Sequence, residues 1–100
     1  MKTINAIAKV RFASARPQRV QLSQDAELTV ELVCMEAGQA MEVRGGHWNY
    51  YVIAGSGQIA GDGTGEPLVA GQLTVLDAGE RHVLTNTGEA RLILLAAGRH

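Results

Sequence analysis

Apolar residues along this chain come in short bursts separated by glycine-rich turns. No long segment sustains the i, i+3, i+4, i+7 spacing of an amphipathic helix. The bursts alternate instead, as strands do. Residues 28–36 are the clearest case in the first half. Leu28, Val30, Leu32 and Cys34 fall on one face, with Thr29, Glu31, Val33 and Met35 on the other. Further strands are predicted over 3–12, 19–22, 49–55, 72–79, 81–88 and 90–98. Residues 57–71 read as a hairpin, with Asp62-Gly63 and Gly65 supplying the positive-φ positions of the reversal. The pattern is all-β, with about eight or nine strands at the spacing of a sandwich or a closed barrel. Residues 1–100 form one domain, since no linker, repeat or low-complexity tract divides them.

The first predicted strand, 3–12, is apolar on both faces, with Ile4, Ala6, Ala8, Val10 and Phe12 set against Ile7. Such a strand makes a poor solvent-facing edge. It is expected to be covered in a homodimer, with residues 3–12 at the interface.

Composition narrows the function classes. Apolar residues make up 46% of the chain and charged residues 19%, which is globular rather than disordered. Lys and Arg number 9 against 10 Asp and Glu, for a formal net charge of -1. That offers no basic field for nucleic acid or for an anionic membrane surface. No apolar run approaches the ~20 residues of a membrane helix. Cys34 is the only cysteine, so no internal disulfide forms, and it reads as a buried, inert thiol. Asn5, Lys9 and Arg11 interrupt the opening residues where a signal peptide would be apolar. These features point to a cytoplasmic protein.

Candidate chemistry gathers in one place. Three of the four aromatic residues, Trp48, Tyr50 and Tyr51, stand beside His47, directly after Gly45 and Gly46. They either plug a core or line a pocket. Two registers are open. With Trp48, Tyr50 and Val52 inward, His47 points out; a bulge at the glycines brings His47, Asn49 and Tyr51 inward instead. The glycine-rich text at 55–65 lies in a hairpin, so a phosphate-loop reading fails on context.

Residues 71–86 carry a specific pattern. Gly71, Asp77, Gly79, His82 and Asn86 occur in order at fixed spacing. The pattern resembles the second motif of the cupins, with Asp77 where that motif has proline. Residues 50–57, ending the first motif at Gly55, resemble that motif's tail. Its chemistry departs: the two histidine slots fall on Glu42 and Arg44, and the glutamate slot falls on Trp48, or on His47 if the chain bulges. The resemblance spans about residues 28–96.

The resemblance implies a double-stranded β-helix, or jelly-roll barrel, often paired as a homodimer. It also implies a site inside the barrel mouth, where cupins hold a divalent metal with three histidines and a glutamate. His82 occupies a ligand slot. His47 and Glu42 are the only candidates to join it, which predicts at most a weakly bound divalent transition metal. Arg44 in a ligand slot would repel a cation and suits an anion instead. The leading expectation is a small-molecule-binding barrel with a degenerate metal site and a pocket of Arg44, Trp48, Tyr51 and His82. The alternatives are a metal-dependent enzyme using His82, His47 and Glu42, and a non-catalytic regulatory or interaction module.

Overall fold

A computed structural model describes all 100 residues. It contains one turn of 3-10 helix, Ile7–Lys9, and nine strands. These are β1 Gln18–Gln24, β2 Thr29–Met35, β3 Ala40–Val43, β4 His47–Ala54, β5 Ser56–Ala60, β6 Gly65–Val69, β7 Leu73–Val75, β8 His82–Thr85 and β9 Leu92–Arg99. The strands build two sheets, ordered β1-β2-β9-β4-β7 and β3-β8-β5-β6. Every pairing is antiparallel. The two sheets close face to face into the expected jelly-roll barrel. No helix is long and apolar enough to cross a membrane.

Alternation decides what enters the interior. On β4, Trp48, Tyr50 and Val52 are buried while Tyr51 is exposed. On β9, Leu92, Leu94 and Ala96 point inward. Register then aligns Val33, Leu94 and Val52 in one row across three strands. With Met35, Leu68, Leu84 and Leu92 they form the apolar end of the core. Each fully buried Leu or Val there contributes roughly 1.5–3 kcal/mol. Asn86, the last residue of the second motif, is a clamp. Its amide donates to the Met35 and Ala90 carbonyls, and its oxygen accepts from Gly88 N–H, each at 3.0 Å.

β2 is buried on both faces, with Leu32 and Cys34 as inaccessible as Val33 and Met35. Only the second pair belongs to the barrel core. The outer face lies under the N-terminal segment. Burial there raises the Cys34 thiol pKa, partly offset by neighbouring Arg11. The Gln39 side chain donates to the Ala13 carbonyl at 2.7 Å, and the Arg91 guanidinium stacks on Phe12 at 4.4 Å.

The strand predicted over 3–12 does not form. Lys9 N–H bonds to the Ala6 carbonyl, and Asn5 accepts from Ala8 N–H, which winds a helical turn in the middle of the segment. Ile4, Ala6, Val10 and Phe12 are half-buried, whereas the turn throws Ile7 and Ala8 outward. The half-buried side of the segment packs on the chain's own sheet. The hairpin forms as predicted at Asp62-Gly63, where Gly63 has φ +74°, but Gly65 is an ordinary strand residue.

Candidate functional site

Away from the apolar end, the same inward positions become polar. In one row across the larger sheet, Glu31 pairs with Ala96, Ala96 with Tyr50, and Tyr50 with Thr74. His82 enters from the facing sheet at the start of β8 and is 2% exposed. Its Nδ1 lies 2.9 Å from the Glu80 carbonyl oxygen. A carbonyl only accepts, so Nδ1 carries a proton. Nε2 shares a hydrogen bond of 2.7 Å with the Tyr50 hydroxyl. The rings meet edge to face at 5.3 Å.

Burial pushes the Tyr50 phenol well above its usual pKa; Arg19 opposes the shift and Glu31 adds to it. Glu31 is itself buried and bonded by Arg19, whose guanidinium also lies 5.2 Å above the Trp48 ring. His100 closes on the same ring, edge-on at 5.1 Å. Two polar pairs, Arg19–Glu31 and Tyr50–His82, thus flank the aromatic interior. No buried polar side-chain atom lacks a partner.

A cavity of about 100 Å³ reaches His82 between the sheets, lined by Thr64, Glu66, Thr74, Leu76 and Glu80 among others. That is space for about three water molecules. A larger depression, about 340 Å³, lies beside Glu42, Asp62, Arg81 and Val83. Its charges are satisfied among themselves and with Arg44: Arg44 holds Glu42 at 2.8 Å, and Arg81 stands 3.9 Å from Asp62. Both are lined by Gly61 and His82, and the smaller cavity is the one that also meets Thr74 of the interior polar row.

The predicted site residues separate. Trp48 is buried and His47 turns outward, where its Nε2 meets the Leu76 carbonyl at 3.0 Å. Gly45 and Gly46, both at φ +75°, make a turn rather than a bulge. A Cβ on Gly46 would lie 2.9 Å from Trp48 Nε1, so the glycine makes room for the inward indole. Tyr51 is exposed on the outer face. Glu42 and Arg44 are exposed and paired with each other, which holds the Glu42 carboxyl below its usual pKa. Of the expected pocket, His82 and Trp48 lie inside the barrel, and Arg44 and Tyr51 lie outside.

The expected metal set, His82 with His47 and Glu42, does not converge. No group of three or more His, Cys, Asp or Glu side chains is placed to hold a metal. The reason is strand parity. Glu42 pairs with Val83 and shares its outward side, while His82 pairs with inward Val43. Both His82 nitrogens are also engaged, Nε2 by Tyr50. The donor set therefore does not fit the metal that the cupin resemblance implies.

Tyr50 and Glu31 are the interior residues missing from the predicted pocket. Both were within reach of the alternation. An inward Trp48 carries Tyr50 inward with it. Glu31 shares its strand face with Thr29, Val33 and Met35, the one acid on that side.

No family model matches the chain, and no curated protein matches it. Its structure has close likenesses. The protein TT1209 from Thermus thermophilus superposes with a TM-score of 0.91 at 20% identity, over 99% of this chain and 97% of that one. A conserved protein with a double-stranded β-helix domain from Klebsiella pneumoniae gives 0.88 at 21% identity, over 99% and 90%. An RmlC-like cupin protein from Desulfovibrio desulfuricans gives 0.80 at 22% identity, over 97% and 96%. The chain has the cupin fold.

Proposed function

We propose that this chain is a cupin-fold binding protein that takes a small polar molecule at the barrel mouth, against His82, without a metal. The carrying observation is the buried Tyr50–His82 hydrogen bond standing where the mouth cavity ends. It fixes the imidazole in one orientation, which is what a recognition surface requires.

Three other readings have less support. A metal-dependent enzyme needs further ligands beside His82, and Glu42 and His47 face outward. Proton-transfer catalysis works best with a pKa near the working pH. Burial drives Tyr50 the other way. A module that had lost its site would have filled the mouth, and the cavity argues otherwise.

The test is a fragment screen by amide-resolved NMR on the wild type and on Thr74→Trp, which fills the cavity. Fragment-induced shifts are expected to cluster on Thr64, Thr74, Leu76 and His82 and to vanish in the variant. Shifts scattered over the outer faces would overturn the proposal.

A homodimer is the assembly we propose, built on the outer face of β4 and β7 rather than on an exchanged N-terminal strand. Leu73 and Val75 are 63% and 69% exposed, and Tyr51 stands beside Leu73. No charged residue interrupts this strip on either strand. Exposed contiguous apolar surface of this kind marks interaction sites. The full chain is expected at twice its monomer mass in sedimentation, and Leu73→Glu at the monomer mass. A monomeric wild type at micromolar concentration overturns it.

A further inference from the structure

Residues 1–17 are the longest stretch that belongs to neither sheet. They lie across the outer face of β2, where Leu32 and Cys34 are completely buried. Arg11 stands beside the Cys34 thiol.

This segment is not fastened as a strand is. No backbone hydrogen bond joins it to the barrel. The two that it makes, Lys9 N–H to the Ala6 carbonyl and Val10 N–H to the Ile7 carbonyl, close its own turn. No ion pair holds it either, although it carries Lys2, Lys9, Arg11 and Arg16 and no acid. None of its residues is fully buried. A depression of about 440 Å³ opens between Ile4, Lys9 and Arg11 on one side and Val20 and Leu22 of β1 on the other.

Side chains fasten it at one end. The Gln39 amide donates to the Ala13 carbonyl at 2.7 Å and to the Ser14 carbonyl at 3.4 Å, while the Gln39 oxygen accepts from Glu36 N–H at 2.8 Å. Arg91, held by Glu36 at 2.7 Å, lies over the Phe12 ring at 4.4 Å. The Gln18 amide, next in the chain, donates to the Arg16 and Pro17 carbonyls. All of these contacts act on residues 12–17. The earlier residues rest on the half-buried side chains of Ile4, Ala6 and Val10.

A unit opens locally when few buried apolar contacts and few hydrogen bonds must break. Separating β2 from β1 or β9 breaks a whole ladder, whereas lifting residues 1–17 breaks none. We infer that residues 1–17 form a strap that lifts as a unit off a folded barrel, and that this lifting, rather than global unfolding, gives access to Cys34. Closed, the strap seals an apolar strip of β2. Lifted, it bares Leu32 and Cys34 and leaves the interior row of Glu31, Ala96 and Tyr50 in place, because that row lies on the other face of the sheet. The device is independent of binding at the mouth.

Cys34 is the only cysteine, so its alkylation by iodoacetamide, followed by mass, reads the opening. The rate is measured on the intact chain at fixed pH, in urea from zero to just below the unfolding transition. It is expected to rise with urea at less than about a third of the slope of global unfolding, because lifting a strap exposes far less surface than unfolding the chain. Phe12→Ala removes the contact with Arg91 and is expected to raise the rate without urea about threefold or more. Leu94→Ala weakens the barrel core on the opposite face and is expected to leave the rate within about twofold of the wild type. A thiol that stays unmodified until the urea transition overturns the inference. So does a Leu94→Ala rate raised as far as its unfolded fraction, or a Phe12→Ala rate equal to that of the wild type.

Discussion

At one end of the barrel Val33, Met35, Val52, Leu92 and Leu94 pack with no polar group among them. At the other, the same strands continue into Glu31, Tyr50 and Ala96, and the facing sheet supplies His82. Both ends are buried, and they are held by different physics. The apolar end depends on filled volume, which any well-shaped hydrocarbon supplies. The polar end depends on each donor meeting its acceptor, because an unpaired group there loses its hydration for nothing. A substitution at the first end should cost stability in proportion to the space it empties. At the second it should cost according to which partner it orphans, and it should show a pH signature.

The largest effect should come from the apolar end. Leu94→Ala is expected to lower unfolding free energy by about 2–5 kcal/mol, seen as a lower urea midpoint with an unchanged slope. A loss below about 1 kcal/mol would mean that this end is loosely packed. Next comes Arg19→Ala, which strands the buried Glu31 carboxylate. Its expected cost is about 2–3 kcal/mol, below that of a fully buried pair because Arg19 is itself partly exposed. The paired change Arg19→Leu with Glu31→Leu should recover most of that loss. If it does not, the pair itself stabilises the mouth.

Tyr50→Phe should cost about 1–3 kcal/mol, since it leaves the Nε2 of His82 buried and unpartnered. Its pH signature is more telling. Burial raises the folded phenol above its unfolded pKa of about 10. Above that pH the unfolded chain releases the proton and the folded chain keeps it. Stability is therefore full below about pH 10 and falls as pH rises further. Chemical denaturation between pH 8 and about 11 should show this fall in the wild type and less of it in Tyr50→Phe. Equal slopes would place the cause elsewhere. The smallest effect belongs to Arg44→Ala. Its ion pair with Glu42 is solvent-exposed on both sides, and such pairs contribute little. No measurable change in melting midpoint is expected.

Much of the architecture was legible in the pattern of the chain. The alternation of 28–36 and 49–55 marked β2 and β4, and Asp62-Gly63 marked the hairpin. The spacing from Gly71 to Asn86 carried the cupin resemblance that the fold bears out. The failure at 3–12 has a local cause, since alternation is also met by a segment that lies down on its own sheet around one helical turn. The site was legible in part. His82 was found by its motif slot, whereas Tyr51 was expected in place of Tyr50 because nothing short-range decides whether Gly45-Gly46 turns or bulges. Arg44 was read as a pocket residue, but Glu42, two positions earlier on the same outer side, neutralises it.

What the sequence alone determined is most of the strands, the turn at Asp62-Gly63 and the two faces of strands such as β2, because those follow from a period of two and from where glycine is needed. Which face became the interior was decided by tertiary structure. Glu31 finds Arg19 across a strand pair, and Tyr50 finds His82 across the barrel, 32 positions away. Partners so far apart in sequence leave no periodic trace. A hydrogen bond between them exists only once both sheets have closed, and that closure brings His82 to Tyr50 rather than to His47 and Glu42.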